Sequence, residues 1–226
     1  MPRHPAFPLA LVTTGRHLLL VGGGPLGADR LRTALDYDWA QITMTAQTPT
    51  DLTPDIHALA ADDPRVVLRD RPCAEADVAT ADLVIDSTTD EDLAATLSGW
   101  CRPRRVPLNA MDKMEYCDIH YPALITRGPL LLAIVSGGQT PALSGTLRRW
   151  LDEALGPGWE HAAQRLAEAR RATPPGRRRM QMLIDLARDP RLLDGIRRDD
   201  QAAMQQLIDE AVRQEFDDNS GTPHVP

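Results

Sequence analysis

The chain reads as an α/β protein in which a parallel sheet interleaved with helices comes first, an apolar α/β stretch follows, and helices alone complete it. Three observations carry this reading. An unbroken apolar run from Leu18 to Val21 enters a glycine-rich turn at Gly22. Short strand-like runs then alternate with helical patterns as far as Leu108. Beyond Gly156-Pro157-Gly158 the sequence turns rich in Arg, Glu and Ala, with no strand pattern.

Each element follows from its local pattern. Leu18 to Val21 has no polar alternation and suits a strand buried on both faces. Ala28 to Leu35 carries its apolar residues at helical spacing, and Gln41 to Ala46 suits a second strand. A Thr/Pro-rich connection leads to a short helix over Asp51 to Ala60, and Arg65 to Leu68 suits a third strand. Ala81 to Asp86 suits a fourth, and Ser87-Thr88-Thr89-Asp90-Glu91-Asp92 then supplies capping oxygens for a helix start. Arg105 to Leu108 reads as the fifth strand and Leu130 to Val135 as another, broken by Gly137 and Gly138. Thr140-Pro141-Ala142 opens a helix with proline near its first turn, and Leu143, Leu147, Leu151 and Leu155 recur along it. After a break at Thr173-Pro174-Pro175-Gly176, further helices end in a polar stretch, Asp217 to Pro226, expected to fray.

Length and charge narrow the function classes. A chain of 226 residues can bury a real core. It could hold one large domain or two small ones, with two preferred, and the order of elements is divided at 1–112, 113–155 and 156–226. A net charge of −7 disfavours generic nucleic-acid binding, which needs a basic face. Cys73, Cys101 and Cys117 show no C-x-x-C pairing, and their odd number suits reduced thiols in a cytoplasmic protein. Met1 to Leu11 is too short and proline-broken for a signal peptide, and no apolar stretch is long enough to span a bilayer.

Gly22, Gly24 and Gly27 stand at G-x-G-x-x-G spacing between the first strand and the first helix, the context that gives this motif meaning. Gly22 allows the tight turn, Gly24 a close approach of backbone to a pyrophosphate, and Gly27 close packing of helix on strand. The helix N-terminus adds amide donors and positive dipole, so the reading is a Rossmann dinucleotide site. Gly23, Pro25 and Leu26 complete the turn, with Thr45 after the second strand and Thr88 and Thr89 after the fourth as further cofactor contacts. The usual acidic ribose ligand is missing, since Thr45-Ala46-Gln47-Thr48 precedes any carboxylate before Asp51. No arginine pocket for a 2'-phosphate is evident either.

Three segments taken together resemble the precorrin-2 dehydrogenase and sirohydrochlorin ferrochelatase family. They are Val21-Gly22-Gly23-Gly24; Asn109-Ala110-Met111-Asp112 with Pro122-Ala123 after it; and Val135-Ser136-Gly137-Gly138-Gln139-Thr140-Pro141. The resemblance takes in Thr89-Asp90 and extends over most of residues 8 to 155. It implies a Rossmann domain, a central dimerisation region over 113–155, and a small helical C-terminal domain. It also implies a homodimer, with active sites between the Rossmann domain and the dimerisation region. The implied reaction is NAD-dependent oxidation of precorrin-2 to sirohydrochlorin on the way to sirohaem. Some relatives also insert ferrous iron as a substrate, and others only dehydrogenate. Ile119 stands where the family usually carries phenylalanine, with His120 next to it. That altered segment keeps two alternatives open: a nucleotide- or tetrapyrrole-binding regulatory module without catalysis, and action on another modified tetrapyrrole. The leucine series from Leu143 would serve either a dimer face or a monomer core.

The chemistry needs a hydride acceptor and a base. Asp112, just beyond the fifth strand, is the candidate base, where ligands bind in open parallel sheets. Asn109, Ser136, Gly137 and Gly138 are candidate substrate contacts, the last three lying before a helix N-terminus that can hold a carboxylate. A polycarboxylate tetrapyrrole also calls for arginine, whose fork binds carboxylate in two places. Arg127 and Arg148 are the leading candidates, with Arg102, Arg104, Arg105 and Arg149 beside them in sequence. His120 lies near Asp112, Glu115, Cys117 and Asp118, but no pair has metal-ligand spacing, and no resident metal is expected.

Overall fold

The computed structural model describes residues 6–137 and 140–217, and the chain falls into two compact units, Met1–Tyr121 and Pro122–Pro226. Gly138, one of the expected substrate contacts, lies outside the described residues, as does the tail from 218 onward. No helix among the described residues is long and apolar enough to cross a membrane.

The first unit is a five-stranded parallel sheet in the order β3-β2-β1-β4-β5. Its strands are β1 (His17–Val21), β2 (Gln41–Thr45), β3 (Val66–Arg69), β4 (Leu83–Asp86) and β5 (Leu108–Ala110). Between them run α1 (Gly24–Leu35), α2 (Pro54–Asp62), α3 (Glu75–Val78) and α4 (Glu91–Arg104). The order reverses between β1 and β4, so the loops leaving those strands open a crevice at the C-terminal edge of the sheet. Alternation along β1 explains its unbroken apolar run. Leu18 and Leu20 pack with Leu31, Ile42 and Ile56 on one face, while Leu19 and Val21 pack with Val84, Leu97 and Leu108 on the other.

The expected order of elements holds here, with local shifts. The fifth strand, expected over Arg105 to Leu108, begins at Leu108. Helix α4 runs on through Pro103, and Arg105 closes it in a left-handed conformation with φ 57°, its amide donating to the Arg102 and Cys101 carbonyls. The helix expected from Asp51 to Ala60 is broken, because Pro54 holds Thr53 extended and a single tight turn, Pro49–Asp51, precedes α2. The short α3 had no signal in the hydrophobic pattern. Asp77 fixes its start by accepting the Ala74 amide at 2.9 Å while both nitrogens of the Arg71 fork reach its carboxylate.

The second unit opens with an antiparallel hairpin, β6 (Ala123–Arg127) and β7 (Leu130–Ile134). Only β7 was legible as a strand. The hairpin turns at Gly128, whose φ of 54° suits the first position of a two-residue loop with Pro129 in the second. Helix α5 (Pro141–Ala154) packs on the hairpin, and α6 (Gly158–Ala172), α7 (Arg177–Arg188), α8 (Pro190–Arg198) and α9 (Gln201–Val212) follow. These last four share their own core of Ala162, Met182, Leu186, Leu192, Ile196, Met204 and Ile208. Of the leucine series, Leu143 is 64% exposed and Leu147 41%, with Trp150 63% exposed beside them, while Leu151 and Leu155 are half-buried.

Candidate functional site

Sterics shape the turn after β1. Gly22 adopts φ 94°, and a Cβ there would lie 2.7 Å from the Thr88 Cγ2 methyl and 3.1 Å from Ser87 Oγ. A Cβ on Gly27 would meet the Gly22 carbonyl oxygen at 2.6 Å, so the third glycine lets α1 pack on the end of its strand. Gly24, at φ 67°, faces open space. Helix α1 starts from a glycine cap with no side-chain cap and no acidic residue in its first turn, which leaves its positive end free for an anion. The glycine cradle and that uncapped helix end fit a dinucleotide pyrophosphate. Pro25 and Leu26 are exposed beside it.

Gly23 had no assigned reason in the sequence, and the structure supplies one. A Cβ on it would fall 2.1 Å from the Asp51 carbonyl oxygen, because the loop after β2 folds back onto the turn. The Asp51 carboxylate meanwhile accepts the Thr48 amide at 2.9 Å. Thr45 is fully buried and meets the turn through its carbonyl, which accepts the Gly22 amide at 3.0 Å. Burial pushes the nearby Cys73 thiol up to about 12 and the Cys101 thiol to about 11, so both are inert packing groups.

The loop after β4 closes on the turn from the other side. Ser87 donates its amide and its hydroxyl to the Val21 carbonyl, at 2.9 and 3.0 Å. Thr88 is half-buried and gives both its amide (2.9 Å) and its hydroxyl (2.7 Å) to Asp86 Oδ1, while Thr89 is exposed.

Beyond β5, Asp112 is exposed and holds φ 60°, a left-handed conformation that Asp tolerates better than most residues. Among the described residues its carboxylate has no hydrogen-bond partner. The parallel order places Asp112 at the same sheet edge as the glycine turn. Asn109 is buried and donates its side-chain amide to the Ile119 carbonyl at 3.0 Å, which holds the returning chain against β5.

Two buried charges were missed in the sequence. Lys113 Nζ lies 3.2 Å from Asp86 Oδ2, with the lysine side chain 9% exposed and the aspartate fully buried. The signal was available: Lys113 is the single lysine among 25 basic residues, and Asp86 is the lone charge ending an apolar strand.

Arg127 caps the end of α5, donating to the Leu155 carbonyl (2.7 Å), the Asp152 carbonyl (2.8 Å) and the Asp152 carboxylate (2.7 Å). Arg148 sits 3.9 Å from the same carboxylate, and Arg149 reaches the Thr146 hydroxyl. Ser136 Oγ accepts the Thr140 amide at 3.4 Å, and Gly137 holds φ 62°. Arg102 donates to the Glu115 carbonyl, Arg104 pairs with Glu75, and Arg105 is the exposed cap of α4. His120 is half-buried, and among the described residues no group of three or more His, Cys, Asp or Glu is placed to hold a metal ion.

Comparison with known proteins agrees with the fold. The chain is 37% identical over 149 residues to the sirohaem synthase of Thioalkalivibrio sulfidiphilus, covering 66% of this chain and 29% of that one. It is 31% identical over 188 residues to that of Azotobacter vinelandii, covering 80% and 39%. The chain thus spans about a third of the length of these curated relatives. The solved structure of SirC, a precorrin-2 dehydrogenase, matches the fold with a TM-score of 0.70 at 22% identity, over 91% of this chain and all of that one. A family model described as putative NAD(P)-binding matches residues 9–123, the stretch that holds the sheet, the glycine turn and Asp112, and the chain belongs to that family.

Proposed function

We propose that the protein catalyses NAD-dependent oxidation of precorrin-2 to sirohydrochlorin in sirohaem formation. The observation that carries this reading is the pairing, at one edge of one parallel sheet, of a glycine cradle for a dinucleotide with an exposed carboxylate on a left-handed residue. Likeness to sirohaem synthases over 149 residues supports the choice of substrate.

NAD, when bound, supplies the hydride acceptor. Gly22, Gly23, Gly24 and Gly27 give the pyrophosphate its backbone cradle, with Thr88 and Thr89 flanking the cofactor from the loop after β4. Asp112 would take the proton lost from the macrocycle alongside a hydride, so that each oxidation removes one hydride, held by NAD, and one proton, held by the carboxylate. An exposed carboxylate suits this task, since it can meet the substrate directly and pass the proton on to water. Ser136 and Gly137 are proposed to meet substrate carboxylates, and Arg148 to add charge. Arg127 is already committed to α5, so a substrate contact there needs its hydrogen bonds shared or broken. Ferrous iron is proposed as a second substrate, with Asp112 assisting removal of the pyrrolic protons.

In this reading residues 1–112 bind nucleotide, 113–155 carry the contact of a homodimer, and 156–226 form a helical domain. Leu143, Leu147 and Trp150, exposed at helical spacing on α5, support the dimer. Light scattering on the eluting protein should give a dimer mass, and Leu147→Asp combined with Trp150→Asp should give a monomer. A monomeric wild type would remove the dimer from the proposal.

An anaerobic assay with precorrin-2 and NAD tests the function. NADH absorbance and the sirohydrochlorin spectrum should rise together, and ferrous iron added afterwards should yield sirohaem faster than without protein. No turnover with NAD or NADP would overturn the dehydrogenase in favour of a binding module or a different tetrapyrrole.

A further inference from the structure

The ammonium of Lys113 has three acceptors around it. It lies 3.2 Å from Asp86 Oδ2 and donates to the Thr88 carbonyl at 2.8 Å and the Met111 carbonyl at 3.3 Å. Those three acceptors belong to the end of β4, the loop after β4 and the loop that carries Asp112. The other oxygen of Asp86 holds the Thr88 amide and hydroxyl, and the Thr88 methyl bounds the space left by the missing side chain of Gly22. One chain of contacts therefore runs from the residue after Asp112 to the glycine turn. The Met111 amide reinforces it by donating to the Asp86 carbonyl at 3.0 Å.

Burying two charges costs several kcal/mol of lost hydration per ion, and a well-packed apolar pair often serves stability as well or better. Stability alone is thus a poor reason for this pair. The choice of cation is also selective. Elsewhere the chain carries arginine at every basic position, and this position alone carries lysine. An ammonium offers three donors that can diverge to three acceptors, whereas a guanidinium is a wider planar fork.

We propose that the Lys113–Asp86 pair is a positioning device that fixes the loop bearing Asp112 against the loop after β4, and through Thr88 against the glycine turn. Lys113 acts here through its neighbours and does not itself meet the substrate. The value of this device for turnover rests on the reading of Asp112 as the reacting carboxylate.

Amide hydrogen exchange tests the coupling without reference to turnover. Asp86→Asn with Lys113→Met removes both buried charges and is the variant expected to fold, and Lys113→Arg keeps the charge but not the shape. In both variants, exchange over 86–90 and over 109–113 should speed up together by about tenfold, with β1 and β2 unchanged. Faster exchange in one loop alone, or in neither, would overturn the proposal. Catalysis supplies the second readout. With precorrin-2 and NAD, both variants should lower kcat by about tenfold with KM for precorrin-2 kept within about twofold, the mark of a misplaced reacting group. Unchanged kcat beside coupled loop loosening would restrict the device to structure and overturn its catalytic part. If the wild type does not turn over precorrin-2, the functional reading fails while the exchange result still decides the coupling.

Discussion

The turn after β1 and the loop after β5 leave the same edge of the same sheet, yet they are held by opposite means. At the turn the backbone alone decides: Gly22, Gly23 and Gly27 stand where any Cβ would meet another atom at 2.7 Å or less. At the loop side-chain charge decides, since Lys113 gathers Asp86 Oδ2 and two carbonyls around one ammonium. A glycine turn can thus be written into local sequence, whereas the loop that carries the proposed base depends on a contact between residues 27 positions apart.

The contrast can be broken most forcefully at the loop. Lys113→Met strands the buried carboxylate of Asp86, and loss of one partner from a buried pair costs about 3–5 kcal/mol. Chemical denaturation should register that loss, with most of it recovered when Asp86→Asn is added. A double variant no more stable than Lys113→Met would show that the charge pair is not what holds the loop.

At the turn the damage should be steric. Gly23→Ala forces Asp51 to move, at a cost of about 1–3 kcal/mol typical of overpacking. NADH fluorescence titration should show weaker binding in proportion. A variant that binds as well as wild type would mean that the loop after β2 yields freely.

A third site, at the start of α3, sharpens the contrast. The Arg71 fork on Asp77, aided by the Ala74 amide and opposed by burial, holds the Asp77 carboxyl below the ordinary carboxylate range. Because the folded value is depressed, its stabilisation is full above the unfolded value of about 3.9 and fades as pH falls through the lower folded one. Asp77→Asn keeps an acceptor for the Ala74 amide but loses the charge that faces Arg71, so it should cost about 1 kcal/mol near neutral pH and flatten the acid limb of the stability curve. An acid limb identical to wild type would assign it to other carboxylates.

The smallest effect on stability belongs to Asp112. Its carboxylate is exposed, so Asp112→Ala should cost no more than about 1 kcal/mol, the strain of alanine at a left-handed φ.

Much of this was legible beforehand, for physical reasons. Strands buried on both faces leave unbroken apolar runs, so β1 and β4 stood out, and glycines that exclude a Cβ left their own spacing. The N-x-x-D segment drew attention to Asp112. What escaped depends on contacts distant in sequence. Strand β5 moved to Leu108 because the αL cap at Arg105 uses up the residues before it. Strand β6 is only partly apolar on either face, and its pairing with β7 depends on Gly128. The Asp86–Lys113 pair belongs to no motif, and although the single lysine and the charge ending an apolar strand each stood out, nothing local joins two residues 27 positions apart. The bonds of Arg127 to the Asp152 carboxylate and to the carbonyls that end α5 also depend on residues 25 and 28 positions away and left no local mark.

The most direct test of the central claim is precorrin-2 turnover by Asp112→Ala beside wild type, each first shown by thermal unfolding to be equally folded. Wild type should couple NADH to sirohydrochlorin formation, and the variant should lose about 10²–10⁴-fold in kcat while still binding NADH. Turnover by the variant at the wild-type rate would contradict the claim, and would leave the exposed carboxylate after β5 as a turn residue without a part in the chemistry.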